Sequence, residues 1–252
     1  MIHDRLYLRR RRDSGWRPSY QTGRITRERA IETGYKHVAR LASTIEARTG
    51  ASLKSRRALD FGCGWGRLAI PLAERCEHVY GVDAARSVLQ EAERNATSSN
   101  VTNIEWLQTG QLAELSGRYD LVISMLVFQH IPVKEGERLF AMLVGGLRPG
   151  GVGAINIVLR PDNPWGELLR RTKRWLPFRR DPADEGNGSN GRSLRVYRHM
   201  LMGSYSLNRL GRLLDDGGVS EWNVEFLRAG PSQSFDAVTL YFRKDAEPGA
   251  SG

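Results

Sequence analysis

The feature that most constrains the fold is a short apolar run that opens onto three alternate glycines, Ala58-Leu59-Asp60-Phe61-Gly62-Cys63-Gly64-Trp65-Gly66. Such a run reads as a strand whose carboxyl end must leave the sheet through backbone that side chains would obstruct, where turns often need positive φ. Further along, β-branched runs alternate with segments of helical periodicity, the pattern of βαβ units and a parallel sheet. The spacing predicts a helix from about Thr26 to Arg48 and strands at Arg57–Phe61, His78–Val82, Ile104–Leu107, Tyr119–Ser124 and Val152–Leu159. Helices are predicted from about Gly66 to Glu74, Arg86 to Asn95 and Lys134 to Leu147. The turn Arg148-Pro149-Gly150-Gly151 separates the last helix from the fifth strand.

Residues 161 to 204 break this rhythm. Pro161, Pro164, Pro177 and Pro182 punctuate them, and Asp184 to Arg192 reads as a flexible loop, so the segment is an insertion into the domain. A helix at Leu207–Leu214 follows, then strands at Trp222–Leu227 and Ala237–Phe242 with no helix between them, as an antiparallel edge hairpin requires. The expected fold is a doubly wound α/β domain with a mostly parallel seven-stranded sheet, an antiparallel edge hairpin and an inserted lid segment. One domain fits 252 residues. It is expected to span residues 24–252, with residues 1–23 as a basic disordered tail and 161–204 as a lid or acceptor-binding segment.

Composition narrows the function classes. The longest mostly apolar stretch, Leu121 to Phe128, is too short to span a bilayer, and no apolar stretch follows the basic start as in a signal peptide, so a cytoplasmic protein is expected. Cys63 and Cys76 lack the spacing of a zinc site, and no metal is predicted. The net charge of +10 is uneven. Residues 1–57 carry 15 basic and 5 acidic side chains, whereas residues 58–159 carry 8 and 11. The region holding the glycines is slightly acidic, which argues against nucleic acid as its ligand.

The glycines admit two readings. A dinucleotide frame is met nominally by Gly64, Gly66 and Ala69, but it leaves Asp60 beside a pyrophosphate, an unfavourable pairing. A carboxylate there suits a cationic ligand instead. In this respect Leu59 to Gly66 resembles the first motif of the class I S-adenosylmethionine-dependent methyltransferases, hydrophobic-Asp-x-Gly-x-Gly-x-Gly, and matches it throughout. The resemblance continues in His78-Val79-Tyr80-Gly81-Val82-Asp83, in Tyr119 to Ser124 and in Leu147-Arg148-Pro149-Gly150-Gly151. It covers residues 56–159 well and 205–243 loosely.

The resemblance implies a Rossmann-like fold, S-adenosylmethionine as cofactor, and a small-molecule acceptor that is O-methylated. It places Asp60, Gly62, Cys63, Gly64 and Gly66 at the cofactor, Asp83 and Ala84 at its ribose, Gln111 near its adenine in place of the family's usual acid, and Ser124, Met125 and Phe128 along the pocket. His130, in Phe128-Gln129-His130-Ile131-Pro132, is the candidate base, with a structural role as the alternative. His199, Tyr197 and Tyr205 are further acceptor-site candidates, and Tyr35 could close over the cofactor. The similarity to glycan and natural-product methyltransferases suggests a sugar, glycan or lipid-linked glycan as acceptor. The basic amphipathic run Trp165 to Leu176 could touch an anionic membrane, although a packed lid is the plainer reading. Two alternatives stand beside this one: an RNA methyltransferase using the basic N-terminus, and a cofactor-binding regulatory subunit.

Overall fold

The computed structural model describes residues 26–54, 56–159, 204–229 and 235–246. The expected tail at 1–23, His199, Tyr197, the run Trp165 to Leu176 and all but residue 204 of the insertion lie outside the described residues.

Seven strands form one sheet in the order β3-β2-β1-β4-β5-β7-β6. They are β1 (Arg57–Phe61), β2 (His78–Asp83), β3 (Ile104–Gln108), β4 (Tyr119–Ser124), β5 (Leu147–Val158), β6 (Glu221–Ala229) and β7 (Phe235–Arg243). β1 to β5 pair in parallel, and β7 runs antiparallel to both β5 and β6. Chain order reverses at β1, so β1 and β4 flank the crevice at their carboxyl ends where open α/β sheets bind ligands. This is the expected Rossmann-like architecture with its antiparallel edge hairpin.

The helices cover both faces. On one lie α1 (Arg27–Thr49), α2 (Ala69–Ala73) and α3 (Arg86–Ser98); on the other lie α4 (Val133–Gly145), α5 (Leu207–Asp216) and a 3-10 helix at Thr109–Leu115. α1 starts where the Thr26 side chain accepts the Arg29 amide and stops at Gly50, whose φ of 69° is left-handed. Ala30, Gly34, Val38, Leu41 and Ile45 recur at helical spacing on its buried side. The central strands are buried on both faces, as parallel strands between two helical layers must be.

Two elements differ from expectation. The helix predicted from Gly66 begins only at Ala69, because turns occupy residues 64–68 and Gly66 has a φ of 87° that no right-handed helix accepts. The turn at 148–151 does not end an element but lies within β5. The β4–β5 register jumps from Tyr119↔Leu147 to Leu121↔Val152, so Arg148 to Gly151 form a bulge, with Gly150 at positive φ.

Candidate active site

The glycine loop leaves β1 and rests on the end of β2. The amides of Gly62 and Cys63 both donate to the Val82 carbonyl, at 2.7 and 3.1 Å. Gly62, Gly64 and Gly66 all have positive φ. A Cβ on Gly62 would lie 2.3 Å from Val127, so glycine is needed there for close approach as well as for the turn. Beneath the loop, the Trp106 ring lies against Gly81, where a Cβ would come within 2.4 Å of it. Asn95 donates to the Trp65 carbonyl and ties the loop to α3.

Asp60 sits under this loop, 2% exposed. Its Oδ2 has no hydrogen-bond partner. Burial raises its pKa to about 7; the Arg67 cation and the Ala69 amide oppose that rise, whereas the Asp83 charge adds to it. A buried acceptor of this kind has capacity left for a further donor or cation. Asp83 bridges two loops, with Oδ2 accepting the Gly64 amide at 3.1 Å and Oδ1 the Ala85 amide at 3.0 Å. It is not the N-cap of α3, which is Ala85. Half-buried and at the end of β2, its oxygens keep further lone pairs for hydroxyl donors. Two neighbouring carboxylates make the crevice hostile to a diphosphate, and the dinucleotide frame loses its footing. Ala84 is half-buried beside Asp83. The Cys63 thiol is buried, and burial pushes its pKa well up, so it is a packing group rather than a nucleophile.

The other wall follows β4. The Ser124 hydroxyl is fully buried and donates to the Phe61 carbonyl at 3.0 Å, stitching β4 to β1. Phe128 is fully buried and packs against Phe61, Phe140 and Tyr205. Both side chains therefore help to hold the wall itself together, Ser124 through its bond to β1 and Phe128 through its ring contacts. Gln111 is likewise committed: its Oε1 accepts the Gln108 amide in a capping box of the 3-10 helix, so that oxygen is not simply waiting for an adenine. Tyr205 is no acceptor-site residue, being fully buried with its hydroxyl bonded to the carbonyls of Phe128 and Ile131. Tyr35 pairs with Glu74 on α1's outer side, and that bond raises its pKa to about 12. Met125 is half-buried against the α1-side core. Gln129 and His130 form a half-buried 3-10 turn between β4 and α4.

Sequence reasoning missed four residues here. Leu126 has a φ of 62° and is 54% exposed, an apolar side chain held at the crevice mouth in a conformation that L-residues avoid. Arg67, half-buried, supplies the cation opposing Asp60's upward shift. Gly34 lets α1 touch the loop, since a Cβ there would fall 2.2 Å from the Arg67 carbonyl. Asn156, on the α1 face near the end of β5, is 3% exposed with an unpartnered Oδ1. A glycine inside a helical pattern was the available cue for Gly34; the others carry none. Among the described residues no His, Cys, Asp and Glu group could hold a metal ion, and no helix is long and apolar enough to cross a membrane.

Residues 58–151 match the sequence profile described as "Methyltransferase domain". Over those residues the chain carries a methyltransferase domain.

Relatives of this methyltransferase domain include trans-aconitate 2-methyltransferase from Deinococcus radiodurans, 34% identical over 45% of this chain and 42% of that protein. A magnesium-protoporphyrin O-methyltransferase from Synechocystis is 31% identical over 51% of this chain and 56% of its own length. A ubiquinone biosynthesis O-methyltransferase from Acinetobacter baumannii is 38% identical over 35% of this chain and 38% of its own. The chain therefore aligns with only about half, or less, of each. A crystal structure of magnesium protoporphyrin IX methyltransferase from Synechocystis with bound SAH shares the fold, with a TM-score of 0.58 and 20% identity over 96% of this chain and 95% of that one.

Proposed function

We propose that the protein is an S-adenosylmethionine-dependent O-methyltransferase acting on a small hydroxylated or carboxylated metabolite. The observation that carries the cofactor half is Asp60, a buried carboxylate with an orphaned oxygen beneath three positive-φ glycines. A sulfonium or ammonium supplies the missing positive charge without the phosphate that the two carboxylates would repel. The ribose hydroxyls fall to Asp83.

When bound, the cofactor supplies an electrophilic methyl whose transfer to an acceptor oxygen forms the O–C bond, breaks the S–C bond and leaves a neutral thioether. The chain's own part is to align the acceptor and exclude water. A hydroxyl acceptor also gives up a proton, and His130 takes it in this reading, since its turn leaves β4 beside the cofactor loop and a neutral imidazole nitrogen can accept a proton. A carboxylate acceptor would need no base. The exposed apolar side chains of Leu126 and Val133 flank this turn and favour an acceptor with an apolar portion. Two of the three relatives above carry O-methyltransferase names, in keeping with oxygen as the atom modified. The described residues contain no sugar-specific arrangement in favour of a glycan or lipid-linked acceptor.

The test is incubation with isotopically labelled S-adenosylmethionine and metabolite extracts, with mass spectrometry of the products. Labelled product from the wild-type protein is expected. His130→Gln should lower its formation by about 10²-fold or more for a hydroxyl acceptor. Unchanged turnover would end the base assignment, and cofactor binding without transfer in any extract would favour a regulatory subunit.

A further inference from the structure

Tyr205 stands where the chain returns after residues 160–203. Its amide donates to the Val158 carbonyl at 2.9 Å, and it forms a parallel bridge with Leu159, so Tyr205 is tied to the carboxyl end of β5. From there its side chain passes under the 3-10 turn at Phe128–His130. The single hydroxyl proton is shared between the carbonyls of Phe128 at 2.9 Å and Ile131 at 3.1 Å, which bracket Gln129 and His130. The ring meets Phe128 edge-on, with centroids 5.9 Å apart. α4 is shaped to admit it: a Cβ on Gly136 would lie 2.0 Å from the Tyr205 oxygen. The turn is also fixed from the cofactor side, by Val127 against Gly62 and Phe128 against Phe61.

We propose that Tyr205 is the positioning residue that sets the Gln129–His130 turn against the glycine loop, coupling the acceptor side of the crevice to the point where the chain rejoins the sheet. The role of that turn toward the acceptor rests on the function proposed above; the clamp itself does not. Without the hydroxyl, two inward carbonyls lose their shared donor and the turn is free to rotate.

The molecule contains a matched control. Tyr119 is equally buried and donates to the Leu143 carbonyl at 2.7 Å, in the same helical layer but at the opposite end of the sheet. Tyr205→Phe and Tyr119→Phe should each lower the melting temperature by about 2–4 °C. In full-length protein carrying ¹³C-labelled histidine, with His130 assigned through His130→Gln, only Tyr205→Phe should shift the His130 ring signal and its titration midpoint, with and without bound SAH. An identical His130 signal in both variants and the wild type would overturn the proposal.

Should Tyr205→Phe not fold, amide exchange of the wild-type protein decides the matter. The amides of His130, Ile131 and Tyr205 should open together with one denaturant dependence, and separate openings would overturn the clamp. Failure of wild-type protein to bind SAH by calorimetry would defeat the methyltransferase reading while leaving the His130 comparison intact.

Discussion

The two ends of the sheet are built on opposite principles. At the amino end polar groups close on one another. Asp120 accepts the Arg57 amide, Arg56 donates to the carbonyls of Ser52 and Asp120, and Tyr119 holds α4. The two nitrogens without hydrogen bonds there, on Arg57 and His78, sit beside Tyr80 and Glu105. Left-handed residues occur at both ends, Asn100 and Gly117 among them at the amino end, but at the carboxyl end the polar groups stay open. Gly62, Gly64, Gly66 and Leu126 all have positive φ, and the three buried oxygens left without a partner among the described residues, on Asp60, Gln129 and Asn156, all lie there. Buried acceptors gathered at one end are in keeping with the proposed site for a cofactor that carries donors and positive charge.

Substitutions matched between the two ends can break this contrast. Gly62→Ala combines left-handed φ with a collision against Val127 and should cost about 3 kcal/mol or more. Gly145→Ala, in the last turn of α4 with nothing within 4 Å of the added methyl, should instead stabilise by roughly 0.5–1 kcal/mol. Denaturant unfolding of both proteins checks the pair, and equal effects would remove the asymmetry.

Asp60→Asn should weaken S-adenosylmethionine binding by about 10–100-fold, the loss of one charge-assisted hydrogen bond, without loss of stability at pH 8. Calorimetry together with a melting curve separates the two effects.

The pH dependence sharpens the point. With Asp60's pKa raised to about 7 by burial, the folded protein holds this proton more tightly than the unfolded chain does. Its contribution to stability is therefore full below the ordinary carboxylate range and is lost as pH rises from about 4 to about 7. Binding of a cationic cofactor runs the other way, because it favours the ionised form. Affinity should rise by up to roughly tenfold between pH 6 and pH 8, with a proton released, as titrations in buffers of different ionisation heat would show. An affinity flat across that range would remove Asp60 from the cofactor site.

The smallest effect concerns Leu126. Leu126→Gly should raise stability by about 1 kcal/mol through release of its left-handed strain, while slowing methyl transfer if that side chain touches the acceptor.

Much of this architecture was legible in the chain. Strand and helix periods, the Asp60–Gly66 run and the acid at Asp83 follow from local pattern, because one face or both must be apolar and only glycine tolerates the loop. Less legible were places where one residue type can serve two ends. Ser124 and Phe128 stand where pocket residues belong, and in the structure Phe128 also packs among three rings while Ser124 bonds to a neighbouring strand. Tyr205, an acceptor-site candidate by sequence, is a core residue. The bulge at Arg148–Gly151 looked like a turn because proline and glycine serve both.

The sequence by itself determined the parallel α/β order, the glycine loop and the two acids, since each depends on neighbours a few residues away. Only the tertiary structure decided that Asp60 is buried with one oxygen unanswered, that Leu126 is held strained at the mouth, and that Tyr205 grips the His130 turn from 77 residues beyond Phe128. Burial and hydrogen-bond pairing belong to groups that meet across the sheet, and distance along the chain carries no record of that meeting.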